Sequence, residues 1–551
     1  MTKLCVSGLL LCLTACTGTS VADPAEPLVT EVAGETIAEQ RPNVLIVFAD
    51  DWGFYSEAYA DIVESAPWNQ FAPTPHFSAL AEHGVLFANA FVSSPQCTPS
   101  RSALLSGQSF YRTGLAAIQD GIWDYTNPAF PMMLRESGYH AGYSSKVWSP
   151  GTPRDAPFGG PEFEYEDFGT DYDEFSQYVY AQMALGTSAE DAKLALYAQV
   201  RQNFDDFLSE RSEDEPFLYW FGGRNPHREW IKGSGKELWG IDPDALEGNM
   251  PPFLPDVHEV REDLADYFGE IYAFDAMLGI LLERLEETGE ADNTIIIVSG
   301  DHGAPGFSHG KANLYDFGTR APLVIHWPDQ VEGGRMVTDF VDLKDIAPTL
   351  LDAAGIQIPD IMDATSLMPI LLSDAGGRVD PDRNWVITGR ERHVSTAREG
   401  NLPYPQRSYR TDDYLYIINF KPDRWPGGSP YNITETEAPD QDTLEHDTFI
   451  THNDMDGGPT KAFLILNRNK DAYDEYYDLA FAKRPEFELY DLRTDPNSLI
   501  NLAGQAAYQE IQAELHDALM SHLISGGDPR VQGDGSRFDR MPYTFTRWRS
   551  E

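Results

Sequence analysis

The chain has 551 residues, 88 of them acidic and 40 basic, a formal balance of −48; nucleic acid is excluded as a partner, because neutralising phosphates takes basic surface that this chain lacks. Apolar residues at 42% and aromatics at 12% exclude a disordered acidic tail and are enough for a large packed core. Length alone gives a prior of roughly three to four domains, but an α/β enzyme can wrap several hundred residues around one sheet, and one large and one smaller domain are expected. The acidity repels anionic ligands at long range and is screened within about 8–10 Å in salt, so an anionic substrate has to meet a local cluster of Arg and Lys.

Taken in chain order, Lys3 precedes an apolar stretch over 4–13, and Leu13-Thr14-Ala15 leads into Cys16. A short basic start, an apolar segment well below the ~20 residues that span a bilayer and small residues before a cysteine resemble a bacterial lipoprotein signal. Residues 1–15 are then the signal peptide, Cys16 is lipidated, and the product is an exported lipoprotein, periplasmic or at the cell surface, that touches the membrane only through its lipid. An ordinary secretory signal cut elsewhere is the alternative. Cys5, Cys12 and Cys16 are three of the four cysteines, so Cys97 is left as the one thiol of the mature chain and no intramolecular disulfide can form. Residues 16–40 lack apolar periodicity and read as a flexible tether.

A catalytic domain is expected over 41–375. Val44-Leu45-Ile46-Val47-Phe48-Ala49 is an apolar run without alternation, as in a strand buried on both faces of a parallel sheet, and it ends on Asp50-Asp51. Phe217-Leu218-Tyr219-Trp220-Phe221, Ile295-Ile296-Ile297-Val298 and Leu323-Val324-Ile325-His326-Trp327 are three more candidates, the second running into Asp301-His302-Gly303. Val260, Leu264, Phe268, Ile271, Phe274, Leu278, Leu281 and Leu285 recur every three or four residues and predict a helix over 259–287 with Gly289 at its C-cap. Strands alternating with helices predict an α/β fold, a large and mostly parallel sheet sandwiched by helices, whose polar strand ends meet at one edge. Asp50, Asp51, Asp301 and His302 converge there. Past about 375 the texture changes to Tyr414-Leu415-Tyr416-Ile417-Ile418, Pro- and Gly-rich loops, Phe487-Glu488-Leu489-Tyr490-Asp491-Leu492 and a helical stretch at about 504–524. A smaller α+β subdomain with an antiparallel sheet, contributing to the substrate pocket, is expected over 376–551.

The most specific motif is Cys97-Thr98-Pro99-Ser100-Arg101, continued by Leu104-Leu105-Ser106-Gly107. A lone cysteine in a proline-containing turn is more often structural than catalytic. Cys-x-Pro-x-Arg with the Leu-x-Ser-Gly tail, however, resembles the signature of the type I, formylglycine-dependent sulfatases of the alkaline-phosphatase-like superfamily. Asp50-Asp51, Thr74-Pro75-His76, Gly138-Tyr139-His140, Lys146, Pro226-His227, Asp301-His302-Gly303, Lys311 and Leu489-Tyr490-Asp491-Leu492 fall in that family's order. The resemblance covers roughly 41–505. It implies that a formylglycine-generating enzyme oxidises Cys97, that the hydrated aldehyde attacks sulfur, that sulfate leaves as the aldehyde re-forms, and that Arg101 offsets charge on the nucleophile. It also implies one divalent cation held by Asp50, Asp51, Asp301, His302 and an oxygen of modified Cys97. Three carboxylates favour Ca²⁺, and the imidazole keeps Mn²⁺ and Mg²⁺ open. Lys146 and Lys311 match the sulfate-binding lysines and His227 the general acid; a snorkelling lysine and a structural histidine are the plainer readings. One departure stands out. The family usually carries a histidine two or three places after the first lysine, where this chain has Trp148 and Ser149, and His309 or a water is the expected substitute.

Asp50-Asp51-Trp52-Gly53-Phe54, Pro226-His227-Arg228, Gly310-Lys311-Ala312-Asn313-Leu314-Tyr315 and Tyr404-Pro405 with Arg407-Ser408 resemble the branch of heparan N-sulfatase (sulfamidase) and related bacterial glycan sulfatases. Arg390-Glu391-Arg392-His393, Pro422-Asp423-Arg424-Trp425-Pro426 and Asp456-Gly457-Gly458-Pro459-Thr460-Lys461 resemble its bacterial members. Arg228, Arg392, His393, Arg407, Arg424 and Trp425 are expected to gather around a carboxylated or multiply sulfated sugar, guanidinium for anionic groups and indole for a sugar face; internal salt bridges and packing are the alternative. The function expected is that of an exo-acting O-sulfatase on oligosaccharides of an algal polysaccharide such as ulvan. An N-sulfoglucosamine sulfohydrolase is the alternative, followed by a catalytically impaired glycan-binding lipoprotein and then by a phosphodiesterase or phosphonate hydrolase.

Overall fold

The computed structural model describes residues 41–542 apart from 64, 155, 159 and 213; the signal segment 1–15, Cys16 and the tether over 16–40 lie outside the described residues. The strands are β1 (Asn43–Ala49), β2 (Val85–Phe91), β3 (Gly121–Ile122), β4 (His140–Ser145), β5 (Gly151–Thr152), β6 (Phe217–Gly222), β7 (Thr294–Gly300), β8 (Leu323–His326), β9 (Arg335–Asp342), β10 (Trp385–Arg390), β11 (Gln406–Thr411), β12 (Tyr414–Asn419) and β13 (Phe487–Asp491). Seven of them form the main sheet in the order β4-β6-β1-β7-β8-β2-β9. All run parallel except β8, which is antiparallel to both of its neighbours.

The continuous apolar run of β1 is explained by its central position. Leu45, Val47 and Ala49 pack into the core on one face of the sheet, and Val44, Ile46 and Phe48 into the core on the other, as the alternation of side chains along a strand requires. The first core is capped by the helix His258–Thr288, one residue longer at each end than its periodicity predicts, with Gly289 at φ 72 as the left-handed C-cap. The reversed β8 has a consequence for the site. Its antiparallel pairing with β7 needs no crossover helix, so residues 301–322 return directly across the strand ends and stay at that edge. In the main sheet β2, β4 and β9 lack the continuous apolar run by which β1, β6, β7 and β8 are legible; β4 reads His-Ala-Gly-Tyr-Ser-Ser, and a Cβ on Gly142 would lie 2.5 Å from the Tyr165 ring.

Beyond residue 384, β10, β11, β12 and β13 form a four-stranded antiparallel sheet in sequence order. The helix Gln509–Ser525 covers it, with Leu515, Leu519 and Leu523 packed among Tyr409, Tyr416 and Leu489. Phe110, Tyr111 and Ile118, which follow the Cys97 motif, enter the same core. Packing of this smaller sheet therefore fixes the loops around that motif. Among the described residues no helix is long and apolar enough to cross a membrane.

Candidate active site

Four parallel strands deliver polar residues to one edge. β1 ends on Asp50 and Asp51, β7 on Asp301 and His302, β4 on Lys146, and β6 leads to His227. The strand ends are pressed together: a Cβ on Gly222 would lie 1.9 Å from the Lys146 carbonyl oxygen, and one on Gly300 2.0 Å from that of Trp52. Asp51 and Ser145 take φ values of 68° and 66°, a left-handed backbone uncommon for such residues and frequent at functional sites. Cys97 occupies the first position of the helix Cys97–Ser106, every residue of which is buried, so its sulfur lies at the positive end of a helix dipole, which favours an anion there.

Arg101, one turn further on, ties the edge together. Its Nε donates to Asp301 Oδ2 at 2.8 Å, its Nη1 to the carbonyls of Lys146 and Val147 at 2.9 and 3.0 Å, and its Nη2 to that of Ala49 at 3.2 Å. One fully buried guanidinium thus links the ends of β1, β4 and β7.

Around it, ligand atoms of Asp50, Asp51, Cys97 and His302 all lie within 4.8 Å of one another. Cys97 Sγ is 3.5 Å from Asp50 Oδ1 and 3.4 Å from His302 Nε2, which lies 3.3 Å from Asp51 Oδ1. Asp51 Oδ1 is buried and has no hydrogen-bond partner among the described residues. A buried carboxylate oxygen is costly to leave so, and carboxylates with an imidazole converging on it fit a divalent cation. Asp301 stands beside this group: one oxygen is held by Arg101, and the other accepts the Asp51 N–H at 2.8 Å and lies 3.6 Å from His302 Nε2.

Two lysines face the carboxylates. Lys146 Nζ is 2.6 Å from both oxygens of Asp50, and Lys311 Nζ is 2.9 Å from Asp51 Oδ2 and 3.9 Å from Asp456 Oδ2. Burial disfavours the Asp50 carboxylate, but Lys146, His227, Arg101 and Lys311 outweigh it and hold its pKa well below the usual range. Burial likewise opposes the charge of His302, yet Asp301, Asp51 and Cys97 raise it to about 9. His227 goes the other way, lowered by burial despite Asp51; its Nδ1 faces the Arg228 carbonyl, and its Nε2 lies 4.0 Å from Asp51 Oδ2.

Asp50, Cys97, Lys146, His227 and Lys311 open into a cavity of about 860 Å³, with His393 and Asp456 on its wall. The structure brings only His393 of the six expected substrate contacts to this wall. Arg228 turns to Asp263 (2.7 Å) and the Pro305 carbonyl (3.1 Å). Arg407 is buried between Asp528 (2.6 Å) and Glu391 (2.9 Å). Arg392 donates to the carbonyls of Met541 and Pro542, and Arg424 to that of Pro403 and to Asp539. Trp425 packs its ring against Lys483 and His452. The physical reason is charge balance: with so many carboxylates in the chain, loop arginines find internal acceptors.

The expected substitute base is also elsewhere. His309 stacks between Phe253 (4.5 Å) and Tyr315 (4.1 Å), is driven by burial to about 3, and lines a separate aromatic pocket with Tyr55, Trp68 and Phe317. Ser149 does line the cavity. Trp148 is buried, its Nε1 donating to the Pro153 carbonyl at 2.8 Å and its ring edge-on to Trp123. Sequence reasoning missed Glu166, Asp173, Arg154, Arg224 and Asp456 on the same wall. The acidic run around 162–174 looks like a solvated face, and only the placement of β4 shows that Ser145 donates to Asp173 at 2.6 Å and its N–H to Glu166 at 2.6 Å.

The Sulfatase family model matches residues 42–356. The chain belongs to the sulfatase family. As a member it is a sulfuric ester hydrolase. This sulfatase is 28% identical over 533 residues to N-sulphoglucosamine sulphohydrolase of Homo sapiens, across 90% of this chain and 92% of that protein. It is 23% identical to an ulvan-active sulfatase of Formosa agariphila, across 94% of this chain and 80% of the relative. Among solved structures, BT4656 in complex with its substrate D-glucosamine-2-N,6-O-disulfate superposes with a TM-score of 0.57 at 18% identity, covering 89% of this chain and 99% of that one. Phosphonate monoester hydrolase of Agrobacterium radiobacter gives 0.59 at 18% identity over 89% and 97%. These two share the fold.

Proposed function

We propose that this sulfatase hydrolyses sulfate esters of glycan oligosaccharides as an exo-acting O-sulfatase, through a formylglycine made from Cys97 by a formylglycine-generating enzyme and with one divalent cation. The reading rests on one juxtaposition: Cys97 at the buried end of a cavity, backed by the Asp50, Asp51 and His302 group and flanked by Lys146, Lys311 and His227. Cys97 is only 1% exposed at the inner wall of that cavity, a position that suits the sulfate of a chain terminus. Formylglycine supplies, as its hydrate, a hydroxyl nucleophile for sulfur, and a cation held by Asp50, Asp51, His302 and the modified side chain, with Asp301 alongside, supplies charge stabilisation. Carboxylates in the majority favour Ca²⁺; His302 leaves Mn²⁺ and Mg²⁺ as alternatives.

The remaining roles belong to the chain's own residues. Lys146 and Lys311 take the sulfate oxygens. His227, its ring oriented by the Arg228 carbonyl and partly exposed to the cavity, protonates the leaving oxygen through Nε2. Arg101 fixes Asp301 and lends positive charge beside Cys97. Similarity to the ulvan-active sulfatase supports an algal polysaccharide as the source, and the −48 balance suits saline surroundings.

A second reading, hydrolysis of the N-sulfate of glucosamine, is favoured by the 28% identity to the human sulphohydrolase over nearly the full length. Free sulfate released by formylglycine-bearing enzyme from ulvan oligosaccharides and from N-sulfoglucosamine, with Cys97→Ala as control, decides between them. Release from ulvan fragments alone supports the first reading and from the N-sulfated sugar alone the second; release from neither removes both. Export and lipid anchoring through Cys16 belong to the same proposal, and palmitate labelling that survives Cys16→Ala would overturn them.

A further inference from the structure

The cavity wall beyond the sulfate-facing lysines is acidic, and one of its carboxylates is built in rather than merely present. Asp456 Oδ2 is buried, faces Lys311 at 3.9 Å, and has no hydrogen-bond partner among the described residues. His393 lies on the same wall, 2% exposed, with Nδ1 equally unpartnered. Burial lowers His393 to about 3, which keeps it neutral, and opposes the Asp456 charge, but nearby positive charge, Lys311 foremost, outweighs it and keeps the carboxyl ionised. An ionised carboxylate offers only acceptors, whereas a neutral imidazole offers one donor and one acceptor.

The loop that carries Asp456 is pinned from three sides. Arg228 Nη2 and Thr460 Oγ1 both donate to Asp263 Oδ2, at 2.7 and 2.6 Å. Gly458 lets the Arg228 guanidinium pass so closely that a Cβ there would lie 2.4 Å from Nη1. Buried Lys461 donates to the carbonyls of Met455 and Thr448 at 2.8 and 3.0 Å. Arg228, expected to bind substrate, thus positions this loop from the residue next to His227. Asp456, its side chain 20% exposed, and His393 are thereby fixed on the cavity wall beside Lys311, next to where the lysines face a sulfate. A carboxylate on such a wall favours a ligand that donates a hydrogen to it and disfavours one that brings a second negative charge against it.

We propose that Asp456, with His393 beside it, determines specificity by reading the sulfated ring itself: it selects a sugar that presents free hydroxyl or amine hydrogens on that side and rejects one that carries a second anionic group there. This deepens and rests on the glycan-sulfatase reading, and it reverses the expectation of a carboxylated or multiply sulfated ring. Anionic groups on sugars further along the chain meet instead the exposed, cavity-lining Arg154 and Arg224.

The test compares kcat/KM of the formylglycine-bearing enzyme on N-sulfoglucosamine, glucosamine 6-sulfate and rhamnose 3-sulfate with that on glucosamine-2-N,6-O-disulfate and rhamnose 2,3-disulfate. Counterparts carrying an acetyl ester in place of the second sulfate control for bulk. For whichever sugar is hydrolysed, the monosulfated form is preferred about tenfold or more over the disulfated one, the acetylated form falls closer to the monosulfated, and Asp456→Asn narrows the preference to about threefold. Equal or better turnover of the disulfated sugar, equal rejection of the acetylated one, or a ratio that folded Asp456→Asn leaves in place overturns the inference. If that variant does not fold, the wild-type preference decides. An enzyme that releases no sulfate from any of these sugars or from ulvan fragments overturns the glycan-sulfatase reading as well, whereas release with the opposite preference overturns the inference alone.

Discussion

The strand-end edge and the C-terminal loops both present clusters of charged residues to a sequence reader, yet they put them to opposite uses. At the edge, ligand atoms of Asp50, Asp51, Cys97 and His302 lie within 4.8 Å of one another and Lys146 reaches Asp50 because parallel strands leave their C-terminal residues no other place to go. In the loops, Arg390 and Arg398 share Asp454, Arg407 sits between Glu391 and Asp528, and Arg530 also reaches Glu391. Topology dictates the first cluster. Charge balance in a strongly acidic chain dictates the second, and a motif of arginines there stabilises the fold instead of the ligand.

The comparison breaks first at Cys97. Cys97→Ala should lower sulfate release at least ~10³-fold, with circular dichroism unchanged; retained turnover would move the chemistry off the edge. Arg407→Ala should cost about 3–5 kcal/mol, because it takes the guanidinium from buried Asp528 and leaves buried Glu391 with Arg530 alone. Thermal unfolding reads that loss, and a stable variant with a raised KM would return Arg407 to the substrate. His227→Ala should reduce turnover of sugar sulfates about 100-fold more than that of 4-nitrophenyl sulfate, whose leaving group needs no proton; equal losses would remove the acid role. Chelation should lower activity and Tm together, with Ca²⁺ restoring both more fully than Mg²⁺; a metal-free enzyme of full activity would contradict the ligand group. The smallest effect is expected for Arg424→Ala. Its partly buried pair with Asp539, which keeps Arg530 as a second partner, is worth about 1 kcal/mol, and kcat/KM should stay within about twofold; a tenfold rise in KM would erase the contrast between edge and loops.

How much was legible in the sequence follows the same division. The buried strands β1, β6, β7 and β8 are legible as continuous apolar runs and the long helix at 258–288 by its three-to-four periodicity, and the Cys97 motif with the residues that close those strands could be placed without coordinates. Strands β2 and β4 could not, because their residues are chosen for close approach and for the site rather than for hydrophobic bulk; Gly142 and Ser145 are instances. The roles of Arg228 and His309 depend on which side of a loop a ring or guanidinium faces, and no spacing encodes that. Asp456 stood in a conspicuous Asp-Gly-Gly-Pro-Thr-Lys run, but its free oxygen is visible only once the loop is folded against Arg228.

Trp148 has a consequence beyond the absence of a histidine. Its indole fills a buried site, a Cβ on Gly151 would already lie 2.6 Å from its ring, and its N–H is the shorter of two donors to the Pro153 carbonyl, at 2.8 Å. Restoring histidine at this single position would open a cavity, on the scale of the ~3–5 kcal/mol that removal of a buried tryptophan costs, and would leave that carbonyl only the longer bond from the Ala156 N–H at 3.3 Å. Ring, glycine and carbonyl have become mutually adapted, so the departure is entrenched: a return would require coordinated change at several positions, and a point mutation offers no route back.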